Sequence, residues 1–347
     1  PTRRSSDLAE RARAALDAAR EVADRRGVDL RLPEDATDDE DRFDPLDGHG
    51  AACDRPWNEA YVTHDGTVSV LRSRGDGAFF PKQDFTTGGV PSSIAMGDVN
   101  SDGNPDLAVA NSGDGTVSVL RGRGDGYFFP RQAITTGGVP SSVVLGDLDG
   151  DGHLDLAVAN SRGNTVRELQ GKGDGSFLPT QDFPAAFSRH AIAVGDVNGD
   201  RHPDLAVGND LGSTVSVLLG KGDGTFLPKQ DFPTGRDPVS VAMGDVNRDG
   251  HPDLAVANQG NNTVSVLLGK GDGTFPSRQD VPTGSGPRAI ALGDVNADGA
   301  PDLAVLNYFD NTVSVLLGKG DGSFLPKQAV PTGSAPQSIA LGDVNGD

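Results

Sequence analysis

This 347-residue sequence predicts an all-β fold, a β-propeller of four-stranded blades with about 49 residues per blade. Three observations carry that expectation. A Gly-Asp pair recurs at Gly97, Gly146, Gly195, Gly244, Gly293 and Gly342, each step being 49 residues with no insertion or deletion. Self-similarity at a fixed period of about 20–50 residues marks a solenoid or a propeller and outranks local pattern. The composition agrees, since 48 Gly and 23 Pro supply many turns while 35% hydrophobic residues are too many for a disordered chain. Finally, every unit holds four strand-like segments.

The unit Gly244–Leu292 shows those segments in order. Asp253–Asn258 and Thr263–Leu268 are apolar strands, Phe275–Val281 is a weaker one interrupted by Pro276, and Ala289–Val295 at the following junction completes the four. Both faces of Val264-Ser265-Val266-Leu267-Leu268 carry apolar or small residues, as expected of a strand buried between stacked blades. Lys270-Gly271-Asp272-Gly273 is a hairpin signal. The period is near that of a kelch repeat and longer than that of a WD40 repeat, but neither signature is present, and a β-helix uses much shorter coils.

Upstream, His64–Leu71 aligns with Gly113–Leu120, so a blade is expected from Val62 to Phe85. Gly48–Trp57 stands in the place of a metal loop but carries His49, Ala51, Cys53 and Trp57 where acids belong. With this degenerate first blade six blades are visible, a full-length protein has room for a seventh, and a strand at Ser338–Val344 is placed to close against the first. Residues 1–33 predict a short N-terminal helix capped by Ser6, with Leu8, Ala12, Ala15, Ala19 and Val22 as a narrow apolar stripe. Residues 34–57 read as an acidic linker and the degenerate loop, because Glu34–Asp47 holds eight acids and one Arg. The propeller occupies 58–347. It stops at Asp347 inside a motif completed five times before, and Arg3-Arg4-Ser5-Ser6-Asp7-Leu8 resembles a translated sequencing-adapter scar, so the sequence reads as a piece of a longer one.

A formal net charge of −20 argues against nucleic acid and anionic membrane surfaces as partners, and no run of 18 apolar residues is present to insert into a membrane. Cys53 is the one cysteine, so no intrachain disulfide is available, and a secreted protein of this kind needs another staple such as bound metal. No nucleophile elbow, zinc motif, Walker loop or dinucleotide fingerprint appears. Catalysis needs unlike groups converging once, whereas near-identical blades supply the same groups repeatedly, so no catalytic residue is expected.

The candidate site residues lie in a loop of pattern D-x-[ND]-x-D-G-x-x-D that opens every unit. The first has Asp98, Asn100, Asp102 and Asp106; the second Asp147, Asp149, Asp151 and Asp155; the third Asp196, Asn198, Asp200 and Asp204. The fourth has Asp245, Asn247, Asp249 and Asp253, the fifth Asp294, Asn296, Asp298 and Asp302, and a sixth begins with Asp343, Asn345 and Asp347. Ca2+ takes about six to eight hard oxygen ligands, and a tightly curled loop brings positions 1, 3 and 5 together. Position 7 (Asn104, His153, His202, His251, Ala300) offers only its backbone carbonyl, its side chain facing outward, and Asp at position 9 closes the shell from the next strand. Asp, Asn and Gly also simply form turns, but turns do not require oxygens at alternate positions in five successive units. About five Ca2+ sites are expected, calcium being favoured over magnesium because Mg2+ keeps more water. Arg201 replaces the glycine at position 6 of the third loop, which predicts a strained backbone and the weakest site.

These loops and the G-D-G-[TS]-F stretches, such as Gly222-Asp223-Gly224-Thr225-Phe226, resemble FG-GAP repeats (integrin-α-type, also called VCBS repeats) from about Val62 to Asp347. The resemblance implies propeller blades with calcium loops between their first two strands, and hairpins that pack an aromatic ring against a neighbouring blade. It also implies a secreted or cell-surface module that binds a glycan or a protein. The alternatives are an accessory or channel-bearing domain of a larger secreted enzyme (a hydrolase or lyase), and a structural spacer. Two further signals bear on contacts. Arg74-Gly75-Asp76 and Arg123-Gly124-Asp125 spell an adhesive tripeptide, yet Lys172, Lys221, Lys270 and Lys319 hold the same hairpin position elsewhere, so a basic residue before a turn is the simpler reading. Phe187, Arg189 and His190 in one loop and Tyr308 and Phe309 in another are candidates for sugar or protein contacts.

Overall fold

The computed structural model describes residues 44–45, 58–62, 66–74, 79–185 and 191–342. The expected N-terminal helix, the degenerate loop at 48–57, Phe187, Arg189, His190, and the sixth loop with Asp343, Asn345 and Asp347 lie outside the described residues. Within them the chain is all β, twenty-four strands in six four-stranded antiparallel sheets.

Blade I contains β1 (Asp44–Pro45), β2 (Asn58–Val62), β3 (Thr67–Arg72) and β4 (Gln83–Thr86). Blade II contains β5 (Pro91–Gly97), β6 (Asp106–Asn111), β7 (Thr116–Leu120) and β8 (Gln132–Thr135). Blade III contains β9 (Pro140–Gly146), β10 (Asp155–Asn160), β11 (Thr165–Gly171) and β12 (Phe177–Pro184). Blade IV contains β13 (Ile192–Gly195), β14 (Asp204–Asn209), β15 (Thr214–Leu218) and β16 (Gln230–Pro233). Blade V contains β17 (Pro238–Gly244), β18 (Asp253–Asn258), β19 (Thr263–Leu268) and β20 (Ser277–Pro282). Blade VI contains β21 (Pro287–Gly293), β22 (Asp302–Asn307), β23 (Thr312–Leu316) and β24 (Gln328–Pro331). Each sheet is a meander in which sequence neighbours pair. The unit that opens at Gly244 therefore starts where β17 ends, and the first strand of each blade comes from the preceding unit.

The second strand of each blade is buried along its length in blades II to VI, and in blades II to V a neighbouring blade packs on each side of it. The core is divided accordingly. Among the described residues it forms five clusters, each spanning one junction between successive blades. At the junction of blades III and IV, for example, Ala157 and Val166 pack with Ile192, Leu205, Val207 and Leu218. In blades II to VI the hairpin phenylalanine after Gly-Asp-Gly docks on the fourth strand of the preceding blade. Phe128 meets Phe85, Phe226 meets Phe183 and Phe275 meets Phe232, edge to face at 4.9, 4.9 and 5.2 Å between ring centroids. Phe177 and Phe324 do the same against Ile134 and Val281.

Two expectations meet a different arrangement at the ends. Asp44 and Pro45, inside the stretch read as linker, pair with Val62 and Tyr61 and supply the first strand of blade I. Main-chain pairing is indifferent to the acidic side chains around it. The expected strand at 338–344 is not formed over its described part, 338–342. In the other units that strand pairs with the one after the loop, as β21 does with β22.

Candidate metal centres

Each loop joins the first strand of a blade to its second. The chain leaves β9 at Gly146, curls, and re-enters the sheet at Asp155. The curl is held by the carboxylate at position 1, which accepts the N–H of position 6 together with that of position 5 or, in the second loop, of position 4 (Gly150 to Asp147 at 2.8 Å). In the first loop these are Asp102 to Asp98 at 3.1 Å and Gly103 to Asp98 at 2.7 Å. Asp at position 5 in turn accepts the N–H of position 7, as from His251 to Asp249 at 2.9 Å.

In the second loop Asp147, Asp149 and Asp151 each present an oxygen within 4.8 Å of the other two. Two oxygens bound to one Ca2+ at about 2.3–2.6 Å are at most about 5 Å apart, so this trio fits a hard divalent cation. The other loops carry Asn at position 3. Its amide donates to the position-5 carboxylate, from Asn100 to Asp102 at 2.9 Å, Asn198 to Asp200 at 2.8 Å, and Asn247 and Asn296 to Asp249 and Asp298 at 2.9 Å. The amide N–H thereby tempers repulsion that the second loop leaves between three acids. There Gln170 on β11, where blades IV to VI have leucine, donates its Nε2 to Asp149.

Position 9 stands apart from the trio. Asp106, Asp155, Asp204, Asp253 and Asp302 are all buried. One oxygen accepts the position-2 N–H, as from Leu148 to Asp155 at 2.7 Å. The other accepts a glycine N–H in the hairpin between strands three and four, as from Gly171 to Asp155 at 2.7 Å. Burial, followed by the neighbouring loop carboxylates, pushes Asp106, Asp155, Asp204 and Asp253 up to about 6 against the pull of these N–H donors. Asp302 is raised for the same reasons. Exposed Asp298 is held below the usual carboxylate range by the Ala300 N–H and then the Asn296 amide.

The position-7 side chains do not simply face outward. His202 and His251 lie where a Cβ on Gly222 or Gly271 would be, 2.2 Å from that point, and Asn104 and His153 lie 2.3 Å from it at Gly124 and Gly173. The ring or amide packs down on its own hairpin, which is why glycine is required there. Ala300 is too short for this, and Arg248 of the neighbouring loop covers Gly320 instead and donates to the Asp298 carbonyl at 3.2 Å. The loops also reach across junctions, since Gly175, Gly224 and Gly273 donate to the position-2 carbonyls of Val99, Leu148 and Val197 in the preceding blade at 3.2–3.3 Å.

Arg201 adopts φ +68°, the left-handed geometry expected at position 6. Position 4 is left-handed as well, at Ser101 (57°), Gly150 (76°), Gly199 (76°), Arg248 (62°) and Ala297 (57°). Every loop except the second thus holds one non-glycine residue in this region, and backbone strain does not single out the third.

An FG-GAP-like repeat model matches residues 56–109, 98–158, 147–207, 196–256, 245–305 and 294–347. The chain belongs to the FG-GAP-like repeat family. No curated protein matches this FG-GAP-like chain in sequence. Among solved structures it is similar to a lectin from Agrocybe aegerita that recognises non-reducing terminal N-acetylglucosamine, with 22% identity and a TM-score of 0.57 over 78% of this chain and 76% of that one. It is similar to a protein from Lactobacillus plantarum, with 17% identity and a TM-score of 0.62 over 82% and 84%. It is also similar to the periplasmic gluconolactonase of Pseudomonas aeruginosa, with 20% identity and a TM-score of 0.56 over 79% and 80%. At these identities the likeness is one of fold. Among the described residues of this FG-GAP-like chain no helix is long and apolar enough to cross a membrane.

Proposed function

We propose that this FG-GAP-like propeller is a calcium-stabilised module that binds a glycan or a protein outside the cell. The observation that carries the reading is the convergence of Asp147, Asp149 and Asp151, an all-oxygen donor set at calcium spacing, in a loop pattern repeated around the molecule. Bound calcium would neutralise these carboxylates and fix the loops. Asp98, Asn100 and Asp102, with their counterparts in the third, fourth and fifth loops, would hold the remaining ions, aided by the position-7 carbonyls. Near-identical blades make a scaffold on which exposed loops vary, which suits recognition. Calorimetric titration of the chelated protein with Ca2+ and Mg2+, followed by a glycan array in calcium, tests both halves. A chain that takes up no calcium, or that binds no glycan or protein when loaded, sinks the reading.

A second reading, part of a secreted enzyme, draws on the gluconolactonase fold likeness. Turnover of a sugar lactone by the purified chain would favour it.

A further inference from the structure

Blades I and II differ from the others at one set of hairpin positions. Arg72 and Arg121 stand where blades IV to VI have Leu219, Leu268 and Leu317. Arg74 and Arg123 stand where the later blades have Lys, and Phe80 and Phe129 where they have Leu178, Leu227, Pro276 and Leu325. The substitutions assemble into the same object twice. Arg72 and Arg74 place their guanidinium carbons 5.1 and 4.8 Å from the centre of the Phe80 ring, and Arg121 and Arg123 place theirs 5.5 and 4.6 Å from Phe129. Both rings are exposed, at 41% and 42%.

The two clamps are joined. Arg72 lies 5.9 Å from the Tyr127 ring of the next blade and donates to the Asp125 carbonyl at 3.0 Å, while Gln83 donates to the Tyr127 hydroxyl at 3.0 Å. Beside Phe129 a cleft of about 400 Å3 opens between β4 and the blade II hairpin, with Phe85, Phe128 and Phe129 in its wall and, among the described residues, Arg123 and Arg131 as its charged lining. A guanidinium that stacks on a ring keeps its N–H edge for an anion. Among the described residues none of these five arginines forms an ion pair with a carboxylate. The nearby acids are engaged elsewhere. Asp125 accepts the Tyr127 N–H, Asp84 pairs with Ser69 and Lys82, Asp114, which feels the charge of Arg131, accepts the Gly89 N–H and the Thr116 hydroxyl, and Asp102, which feels the charge of Arg121, belongs to the first loop. On a chain of net charge −20 this is a local reversal of sign.

We infer that this strip on blades I and II binds an anionic polysaccharide whose repeating sugar carries a carboxylate or a sulfate. Arg72, Arg74, Arg121 and Arg123 take the charges, and Phe80, Tyr127 and Phe129 offer flat faces to the sugar rings. Two copies of one clamp, one blade apart, match a ligand that presents the same group at a regular interval, which an acidic protein surface does not. The inference rests on the reading of the chain as a binding module and names its ligand class.

The full chain, in calcium, is titrated with hexagalacturonate for the carboxylate and a chondroitin sulfate oligosaccharide for the sulfate. At least one binds, and its affinity falls as salt rises. Phe129→Leu and Arg121→Leu install residues that later blades carry at the same positions, so they fold, and each weakens binding about tenfold. Lys221→Gln in blade IV leaves it unchanged. Binding that ignores the blade I and II substitutions, or equal binding of polyglutamate or single-stranded DNA, overturns the inference. If neither oligosaccharide binds but a neutral glycan on the array does, the inference fails and the broader reading stands. If nothing binds, both fail.

Discussion

The carboxylate of Asp253 holds the backbone N–H of Gly269, sixteen residues further on, at 2.8 Å. Its other oxygen holds the N–H of Val246 at 2.9 Å, so one buried side chain ties the loop to the hairpin of its own blade. Asp253→Asn replaces one acceptor oxygen by a donor that faces an N–H, and is expected to cost about 2 kcal/mol. The loss should appear in urea denaturation with chelator present as well as in calcium. Asp249→Asn, at the loop surface, should lower stability only in calcium. A D253N deficit confined to calcium would make position 9 a metal ligand first and a structural tie second.

Calcium should raise the thermal midpoint substantially, each site contributing roughly 2.7 kcal/mol when the free ion is about a hundredfold above Kd. The second loop should be the tightest site, because it alone combines four acids with glycine at both left-handed positions. Asp149→Asn should bring it down to the level of the others in a calorimetric titration. Equal affinities before and after the substitution would contradict this.

Strain at position 4 predicts a comparable gain where the third loop was expected to be unique. Ser101→Gly, Arg201→Gly and Ala297→Gly should each stabilise the fold by about 1 kcal/mol, the left-handed penalty less the entropy glycine adds to the unfolded chain. Arg201→Gly should in addition tighten calcium in its loop, since it removes a cation beside Asp196 and Asp200. Denaturant midpoints for the three variants decide the first point, and calcium titration decides the second.

The pH dependence has two opposing windows. Asp106, Asp155, Asp204 and Asp253 have folded pKa values pushed up to about 6, so the stability they contribute is present below the unfolded Asp value of about 3.9 and is lost as pH rises to 6. Asp298 and the hairpin acids Asp174, Asp223, Asp272 and Asp321, held low chiefly by N–H and hydroxyl donors, contribute above about 3.9 and lose it below. In chelator the thermal midpoint should therefore be higher at a pH near 4.5 than at 7, and in calcium the order should reverse. A midpoint in chelator that climbs steadily from 4.5 to 7 would count against the burial argument.

Phe226 seals the junction of blades III and IV against Phe183. Phe226→Ala should cost about 3–4 kcal/mol from the cavity and the lost ring pair, and Phe226→Leu about 1. Equilibrium denaturation of the two variants checks the ordering.

Much of this was legible in the sequence, because the period is fixed. The bounds expected for β18 and β19 coincide with those found, since an unbroken apolar run between turns leaves little choice. The strand expected at Ala289–Val295 instead runs Pro287–Gly293, because the proline hides its start and the Asp294 carboxylate draws the chain into the loop at its end. Position 4 gave no warning of its left-handed backbone, as Ser, Gly, Arg and Ala all occur there. The Arg and Phe clamps did leave a mark, Arg at alternate positions with a doubled Phe in two units only. The Gly-Asp-Gly between them is common to every blade, so the hairpins differ only at the residues that flank it.

The offset between sequence unit and blade has a practical side and a historical one. A fragment begun at Gly244 leaves β17 with the discarded piece and strips β18 of a ladder, whereas a cut in the turn before Pro238 keeps blade V whole. For the gene, the same offset is harmless. A crossover between misaligned copies that removes or adds a whole 49-residue step, wherever in the unit it falls, rejoins a first strand to a second and leaves no half-blade behind.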